Sequence, residues 1–565
     1  MFIEIVPNRN SRPAILLRDR KLVDGKMKKV TVANLSSLPI EAVEAIRLSL
    51  KGKKLVDPAE CFSILSSTPH GHVRAILGTI RNIGLDQIIS SKTSTQKNLI
   101  LAMIVHRLIN PLSKLSTMQD FENTSIMEEL NLKDCTEDDL YAAMDWLFDR
   151  KNRIETKLAN KHFSNGDMAF YDLSSSSYHG SNCELAKYGY NRDGEKLPCI
   201  SYGIMTDKNG CPVCVSVYPG NTKDCKTTVE QVRKLMNQFG LQMSTIVGDR
   251  GTITQKQIDQ WDGLTDLGWI TGLQASGLHK LIHQGMIQTS LFDQKNLAEI
   301  SSPDYPGQRL IVCFNPLLHD KRKKQRQELI QKTKEELNSL SSEVARRTHK
   351  LMTAEEIGVK AGKKIQKYNV GKYFELHIDH GQFSYQEKQS RIDIDKAMDG
   401  YYVVRTNVNK EKLSADDVVR SYKNLAKVES VFRNMKSVDI MVRPIFHRLP
   451  HRVITHIFIC MLAYYVEWHM KQSLRSITWQ DEDLEEYRLC RDAVSKATLS
   501  EKGQKKVRTK KTADNQTPRS FSTILHSLST YTRNVCQSSQ QSDSTFIAYP
   551  KPTPLQEKIF KLLNV

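Results

Sequence analysis

The stretch from Gly166 to Gln274 most constrains how this chain can fold. DMAFYDLSSSSYH opens with an apolar run ending at Asp172, and its Ser-rich continuation reads as a strand leaving a sheet into a loop. KLPCISYGIMTDKNGCPVCVSVYPGN reads as two strands around the turn Asp207-Lys208-Asn209-Gly210, with Val213, Val215 and Val217 alternating toward one side. TTVEQVRKLMNQFG has the spacing of an amphipathic helix, and STIVGDRG is a buried strand ending at Asp249. TITQKQIDQW is a helix whose Thr254 and Gln257 have capping-box spacing, and LGWITGLQ is a further strand. Three strands, helix, strand, helix, strand is an α/β order, with Asp172 and Asp249 each at the carboxyl end of a strand. One such Asp is ordinarily a loop residue.

A second stretch, Ala415 to Arg448, carries the residue that changes this reading. Val418, Val419, Leu425, Val428, Val431, Phe432 and Met435 recur at helical spacing, and no Gly or Pro intervenes before Pro444, so one helix is expected. On it Tyr422, Leu425, Glu429, Arg433 and Lys436 form one stripe. The bland alternative is a solvated Glu429/Arg433 pair worth a few tenths of a kcal/mol. Two strand-end aspartates and a helix glutamate form a sharper set. Hard divalent cations take carboxylate oxygens, and a pair of them about 3.5 to 4 Å apart serves phosphoryl transfer.

Composition narrows the partner. Among 565 residues, Lys plus Arg is 82 against 63 Asp plus Glu, a net charge of +19 that favours a polyanion, most commonly nucleic acid. The length implies three or more units. Eleven Cys without a framework, and an N-terminus MFIEIVPNRN without a basic start and apolar core, suggest a reducing cytoplasm and no export. The longest apolar run, near Ile457 to Val466, is too short to span a bilayer, so no membrane is expected.

The remaining chain divides by pattern. Residues 1–38 read as hairpin strands around an Asp24-Gly25 turn; 39–164 are helical and suit either a DNA-binding unit or a plain helical domain. Residues 165–274 and 401–472 are the two parts of a core around an insertion at 275–400. The insertion carries strand-like RLIVCFN and a long charged helix beginning DKRKKQRQ, where a solvated face and a phosphate track are equally open. Residues 473–565 are C-terminal: a basic, aperiodic linker or DNA-touching arm at about 500–519, then helices FSTILHSLSTYTRNV and PLQEKIFKLLNV. His70 and His72 read as a loop pair, and Cys211 and Cys214 as packed thiols, because neither pair has further ligands at metal spacing.

DLSSSSYH, YGYNRDGEKLPCISYGIMTDKNGCPVCVSVYPGNTKD, VGDRG and YKNLAKVESVFRNMKSVDIMVRPIFHR together resemble the catalytic segments of bacterial insertion-sequence transposases of the DDE type. The resemblance implies a ribonuclease-H-like mixed sheet flanked by helices, interrupted by a mixed α+β insertion and preceded by a mainly helical region. Position by position it puts Asp172, Asp249 and Glu429 on the catalytic and metal-binding carboxylates, holding two Mg²⁺ ions with Mn²⁺ as a substitute. It implies cut-and-paste DNA cleavage at the element's terminal inverted repeats and strand transfer into target DNA. A homodimeric synaptic complex in the bacterial, nucleoid-associated cytoplasm goes with that reading.

The family's motif matches at Tyr422, Glu429 and Lys436 but has Leu425 where Arg is expected. Arg433, one turn from Glu429, is the candidate for the missing charge. Tyr422, Arg433 and Lys436 are therefore expected at DNA, as are Arg443, His447, Arg448 and Arg452 from a cluster that also holds His451. An insertion aromatic (Phe292, Phe374, Phe383 or Tyr385) would hold a flipped base. Two rival readings keep the same core: a structure-selective DNA nuclease, and a non-enzymatic DNA-binding transposase derivative.

Overall fold

Alternating apolar runs and capped amphipathic segments give the elements that follow. A computed structural model of the chain describes every residue except 10, 24, 54–61, 243, 262, 265–266, 293–294 and 539–543. The chain forms two units, Met1–Pro69 with Tyr531–Lys551, and His70–Thr530 with Pro552–Val565. The first begins with β1 (Phe2–Val6), β2 (Ala14–Val23) and β3 (Lys26–Asn34), an antiparallel sheet in that order, followed by α1 (Ile40–Leu50) and β4 (Phe62–Pro69). The expected hairpin is β2–β3; Asp24 of its turn lies outside the described residues.

The second unit opens with seven helices: α2 (Gly71–Asn82), α3 (Leu85–Ile89), α4 (Thr95–Ile109), α5 (Lys114–Phe121), α6 (Ile126–Glu129), α7 (Glu137–Phe148) and α8 (Lys151–His162). Side chains fix their starts: Ser94 caps α4, Ser113 caps α5, and Thr136 with Asp139 forms a capping box on α7. His70 and His72 are not loop residues. His70 is the N-cap of α2 and His72 lies in its first turn, and both are buried, His70 sharing a 2.8 Å hydrogen bond with Ser125 Oγ.

Next come β5 (Met168–Ser177), β6 (Cys199–Thr206), β7 (Pro212–Pro219), α9 (Asp224–Arg233), β8 (Thr245–Val247), α10 (Gln255–Trp261) and β9 (Gly268–Gly272), the order read from the sequence. They continue into α11 (Ala275–His283), β10 (Leu297–Ile300), β11 (Arg309–Phe314), α12 (Pro316–Ala345), α13 (Ala354–Lys367), β12 (Phe374–Asp379), β13 (Gln382–Glu387), α14 (Gln389–Ala397) and β14 (Tyr401–Thr406). The large sheet runs β10-β11-β14-β9-β8-β5-β6-β7, with β5, β8 and β9 parallel and its other pairs antiparallel. This mixed α/β architecture is the ribonuclease-H-like arrangement expected.

One strand differs from the sequence reading. Ser174 to Ser177 do not leave the sheet; they stay paired with β6 as far as Ser177 opposite Cys199, and all four are buried. Three of their hydroxyls have partners: Ser176 Oγ meets the Tyr202 hydroxyl at 2.9 Å, Ser175 Oγ accepts from Arg192 N at 2.9 Å, and Ser177 Oγ accepts from Asn191 Nδ2 at 3.1 Å. A serine run can therefore be core strand when its hydroxyls find partners. Asp172 consequently sits inside β5 rather than at its end.

Within 275–400, β10 and β11 join the large sheet, whereas α12, α13, β12 and β13 build a small core of their own around Leu337, Leu340, Ile357, Phe374 and Phe383. Phe374 and Phe383 are thus packing residues, Phe292 lies 5.5 Å from the Tyr401 ring, and the Tyr385 hydroxyl donates to Asn338.

The chain closes with α15 (Ala415–Lys423), α16 (Leu425–Arg433), α17 (Pro450–Ser473), α18 (Leu484–Cys490), α19 (Glu501–Thr509) and α20 (Phe521–Ser529), then β15 (Thr532–Ser538), β16 (Thr545–Ala548) and α21 (Pro554–Leu563). β15 pairs with β4 and β16 in the first unit, so the segment read as one helix through Val535 turns to strand after Ser529. α17 is, among the described residues, the one unbroken helix long and apolar enough to cross a membrane, yet 83% of its apolar window is buried inside the protein, as in a core helix. The expected flexible linker is α19. Its Lys506 is buried and donates to the carbonyls of Arg475, Thr478 and Gln480 and to Glu482, an anchor made of polar bonds that leaves no apolar periodicity to read.

Burial, with the nearby His70 charge, pushes His72 down to about 4; burial and the Arg107 charge hold His456 well below its usual range. Both stay neutral when folded and take up protons on unfolding, so stability should be full above pH 6.5 and fall as pH drops below it. Each can contribute up to about 1.4 kcal/mol per pH unit. Melting temperatures of wild type and His72→Gln between pH 7.5 and 5 check this; the variant should show a shallower acid slope.

Candidate active site

The parallel pairing of β5 with β8 places two carboxylates side by side. Phe170 is opposite Val247, and Asp172 and Asp249 each lie two residues further along the same register. Leu173 N donates to Asp172 Oδ1 at 2.8 Å. Past the end of β8, Asp249 Oδ1 accepts from Gly251 N at 3.0 Å and Thr252 N at 2.7 Å, and the Thr271 hydroxyl donates to the Asp249 carbonyl at 3.0 Å. These bonds fix the turn that aims the second carboxylate.

The third carboxylate comes from α16, which packs on β5 and β6. The expected single helix is broken at Asn424, between α15 and α16, and ends in a π-turn at Asn434–Val438. Leu425 turns inward as a buried residue, while Glu429 and Arg433 are exposed. Burial pushes the Asp172 carboxyl up to about 7, with Asp249 and Glu429 adding to the rise and the Leu173 N–H and Arg192 opposing it. Burial also pushes the Tyr422 hydroxyl up to about 12; Asp249, Asp172 and Glu429 reinforce it and Arg250 opposes. Tyr422 lies against Gly272 at the end of β9, where a Cβ would stand 2.5 Å from its hydroxyl oxygen.

These carboxylates are neighbours without forming a closed cage. Among the described residues, the one trio of His, Cys, Asp or Glu ligand atoms all within 4.8 Å of one another is His162, Cys211 and His469, where α8 and α17 meet the β6–β7 turn. Cys211 and Cys214 themselves are buried thiols, as read from the sequence.

The other candidate residues separate by what they touch. Lys436 donates to the Ser175 carbonyl and, at 3.1 Å, to Asp193 Oδ1; Arg443 meets Asp193 Oδ2 at 3.2 Å, and Ser177 N donates to the same oxygen at 2.8 Å. Asp193, nearly fully buried, thus ties the end of the Glu429 helix to the strand bearing Asp172. It was not singled out from the sequence, because only the fold brings its loop to Lys436. Arg452 forms a two-pronged pair with Asp145 at 3.0 and 2.8 Å, which His451 joins at 3.0 Å. Arg448 is exposed, and burial pushes His447 down to about 3.

If Asp193 ties helix to strand, Lys436→Met and Asp193→Asn should each destabilise the protein, and a double-mutant cycle should return a coupling of about 1 kcal/mol or more. Strictly additive losses in denaturant melts would contradict the tie.

The family described as transposase DDE domain matches residues 169–466, from β5 through most of α17, which is more than half of the 565 residues. No curated protein matches the chain. Sheet order, the two in-register aspartates and this match lead to one assignment: the chain belongs to the DDE transposases of insertion-sequence type.

Proposed function

We propose that Asp172, Asp249 and Glu429 are the catalytic, metal-binding carboxylates, and that the protein cleaves DNA at the ends of an insertion sequence and joins the freed 3′-hydroxyl to target DNA. Members of this family are DNA-cleaving phosphoryl-transfer enzymes that depend on divalent metal. The residue assignment rests on the pairing of β5 with β8, which brings Asp249 beside Asp172, and on the packing of α16, which bears Glu429, against β5; the upward push on the Asp172 carboxyl from burial, Asp249 and Glu429 agrees with it. Three acids meeting in a protein of net charge +19 repel one another unless a cation joins them. Their donors are all carboxylate oxygens, the chemistry that suits Mg²⁺, or Mn²⁺ in its place. Two such ions bound there would supply an activated nucleophile and stabilise the departing 3′-oxygen.

The chain's own groups would do the rest. The Tyr422 hydroxyl keeps its proton at neutral pH and can donate it in a hydrogen bond to a phosphate oxygen. Arg433, exposed one turn beyond Glu429, replaces the cation missing at Leu425, and Arg250 lies on the Tyr422 side. Lys436 holds the helix in place through Asp193 and Ser175. Synapsis of two DNA ends calls for a homodimer on DNA.

Asp172→Ala should abolish Mg²⁺-dependent cleavage of an element-end duplex while leaving its affinity for the duplex within about twofold. Retained cleavage refutes the assignment. Arg433→Ala should lower cleavage about 10-fold or more, one lost phosphate contact being worth about 1.4 kcal/mol or above. Wild-type rates in both Arg433→Ala and Arg433→Lys would remove that residue from the site.

A further inference from the structure

Away from the carboxylates, a cavity of about 670 Å³ opens between α4, α5 and α7 on one side and the 443–449 segment with the start of α17 on the other. Its floor is cationic. Arg107 and Lys114 are each only 5% exposed, and both line it. Arg107 reaches carbonyls alone, Leu112 O at 3.3 Å and Met441 O at 3.5 Å. Lys114 has no hydrogen-bond or ion-pair partner among the described residues. Neither basic group pairs with an acid among the described residues. Asp145 is held by Arg452, Asp193 by Arg443, and Glu137, the one acid in the lining, accepts from the Tyr141 hydroxyl at 2.8 Å.

An ammonium taken out of water without a counter-charge costs several kcal/mol. The cost is visible in Lys114, whose amine is pushed down to about 7 by burial first and by the Arg107 charge next. The site thus holds two largely buried basic groups without an ion-pair partner among the described residues, and Glu137 is the one acid in its lining. Its rim is of another kind: Leu115, Phe446 and Leu449 stand exposed around the opening. A cationic floor beneath an apolar rim is the pattern a nucleotide fits, phosphate below and sugar or base above.

We infer that Arg107 and Lys114 form a phosphate-binding pocket, distinct from the carboxylate site, that takes a backbone phosphate of bound DNA with its nucleoside against Phe446. The inference rests on the DNA-acting reading but not on the metal triad. Arg448, exposed at the mouth, provides the entry charge. A free phosphate or mononucleotide has the same chemistry, so the test must separate the two sources.

The full chain is titrated with a 40-base-pair duplex of arbitrary sequence at several salt concentrations, as wild type, Lys114→Gln and Lys114→Arg. Lys114→Gln should weaken binding about 10-fold at low salt and reduce the slope of log affinity against log salt by about 0.9, one phosphate's share. Lys114→Arg should restore the slope. In buffer free of phosphate, Lys114→Gln should melt no lower than wild type, since it removes an unpaired buried charge.

An unchanged slope, or a lower melting temperature for Lys114→Gln without phosphate, overturns the pocket and makes the lysine structural. In a second arm, inorganic phosphate or a 5′-mononucleotide is added to the DNA-free protein. Stabilisation that depends on Lys114, together with an unchanged DNA slope, would assign the pocket to a free anion and overturn the DNA version. A failure of the metal triad shows differently: Asp172→Ala would still cleave while the Lys114 effect persists.

Discussion

The parallel alignment of β5 with β8 is the constraint on which the rest of the site depends. β8, three residues long, delivers Asp249 just past its end beside Asp172 of β5, although the two are remote in sequence. Everything after them answers the resulting repulsion. Asp249 is held by two backbone N–H groups, Asp172 by one, and the Asp172 carboxyl still sits near 7. A protein selected for stability alone would gain by replacing one of these acids. The proposed cation-binding role would account for keeping three, including Glu429.

The helix that delivers Glu429 is held by polar contacts as much as by packing. Its apolar face, Val428, Val431 and Phe432, is buried, and α16 packs against β5. At its far end Lys436 and Arg443 converge on Asp193, whose own loop is pinned through Ser177 N and through Ser175 Oγ at Arg192 N. The serine run in β5 therefore has a structural reason: it is the strand's anchor for the loop that fixes the glutamate helix. The strand bearing Asp172, the Asp193 loop and the Glu429 helix are one hydrogen-bonded unit, so a change at Asp193 should act on the candidate site through its positioning.

Most of this was legible in the residues, and what was not has physical causes. The strand and helix order from Met168 to Gly272 follows from apolar runs, turn chemistry and amphipathic helix spacing, β6 and β8 being buried along their whole length. The Ser174–Ser177 strand was hidden because its burial is paid in side-chain hydrogen bonds, which periodicity does not register. The same holds for α19, anchored by Lys506 on three carbonyls and a carboxylate. β10 and β11 looked like part of a separate insertion, since strand pairing across about a hundred residues leaves no local mark. Asp193 and Lys114 likewise acquire meaning only from neighbours brought by the fold.

The central claim is that Asp172, Asp249 and Glu429 share divalent cation. A crystal of the full chain bound to duplex DNA and soaked in Mn²⁺, with data collected at the manganese edge, tests it most directly. The account predicts anomalous density between these three carboxylates, lost at that position in Asp172→Ala. Density absent there, or confined to another place such as the His162, Cys211 and His469 trio, would contradict it.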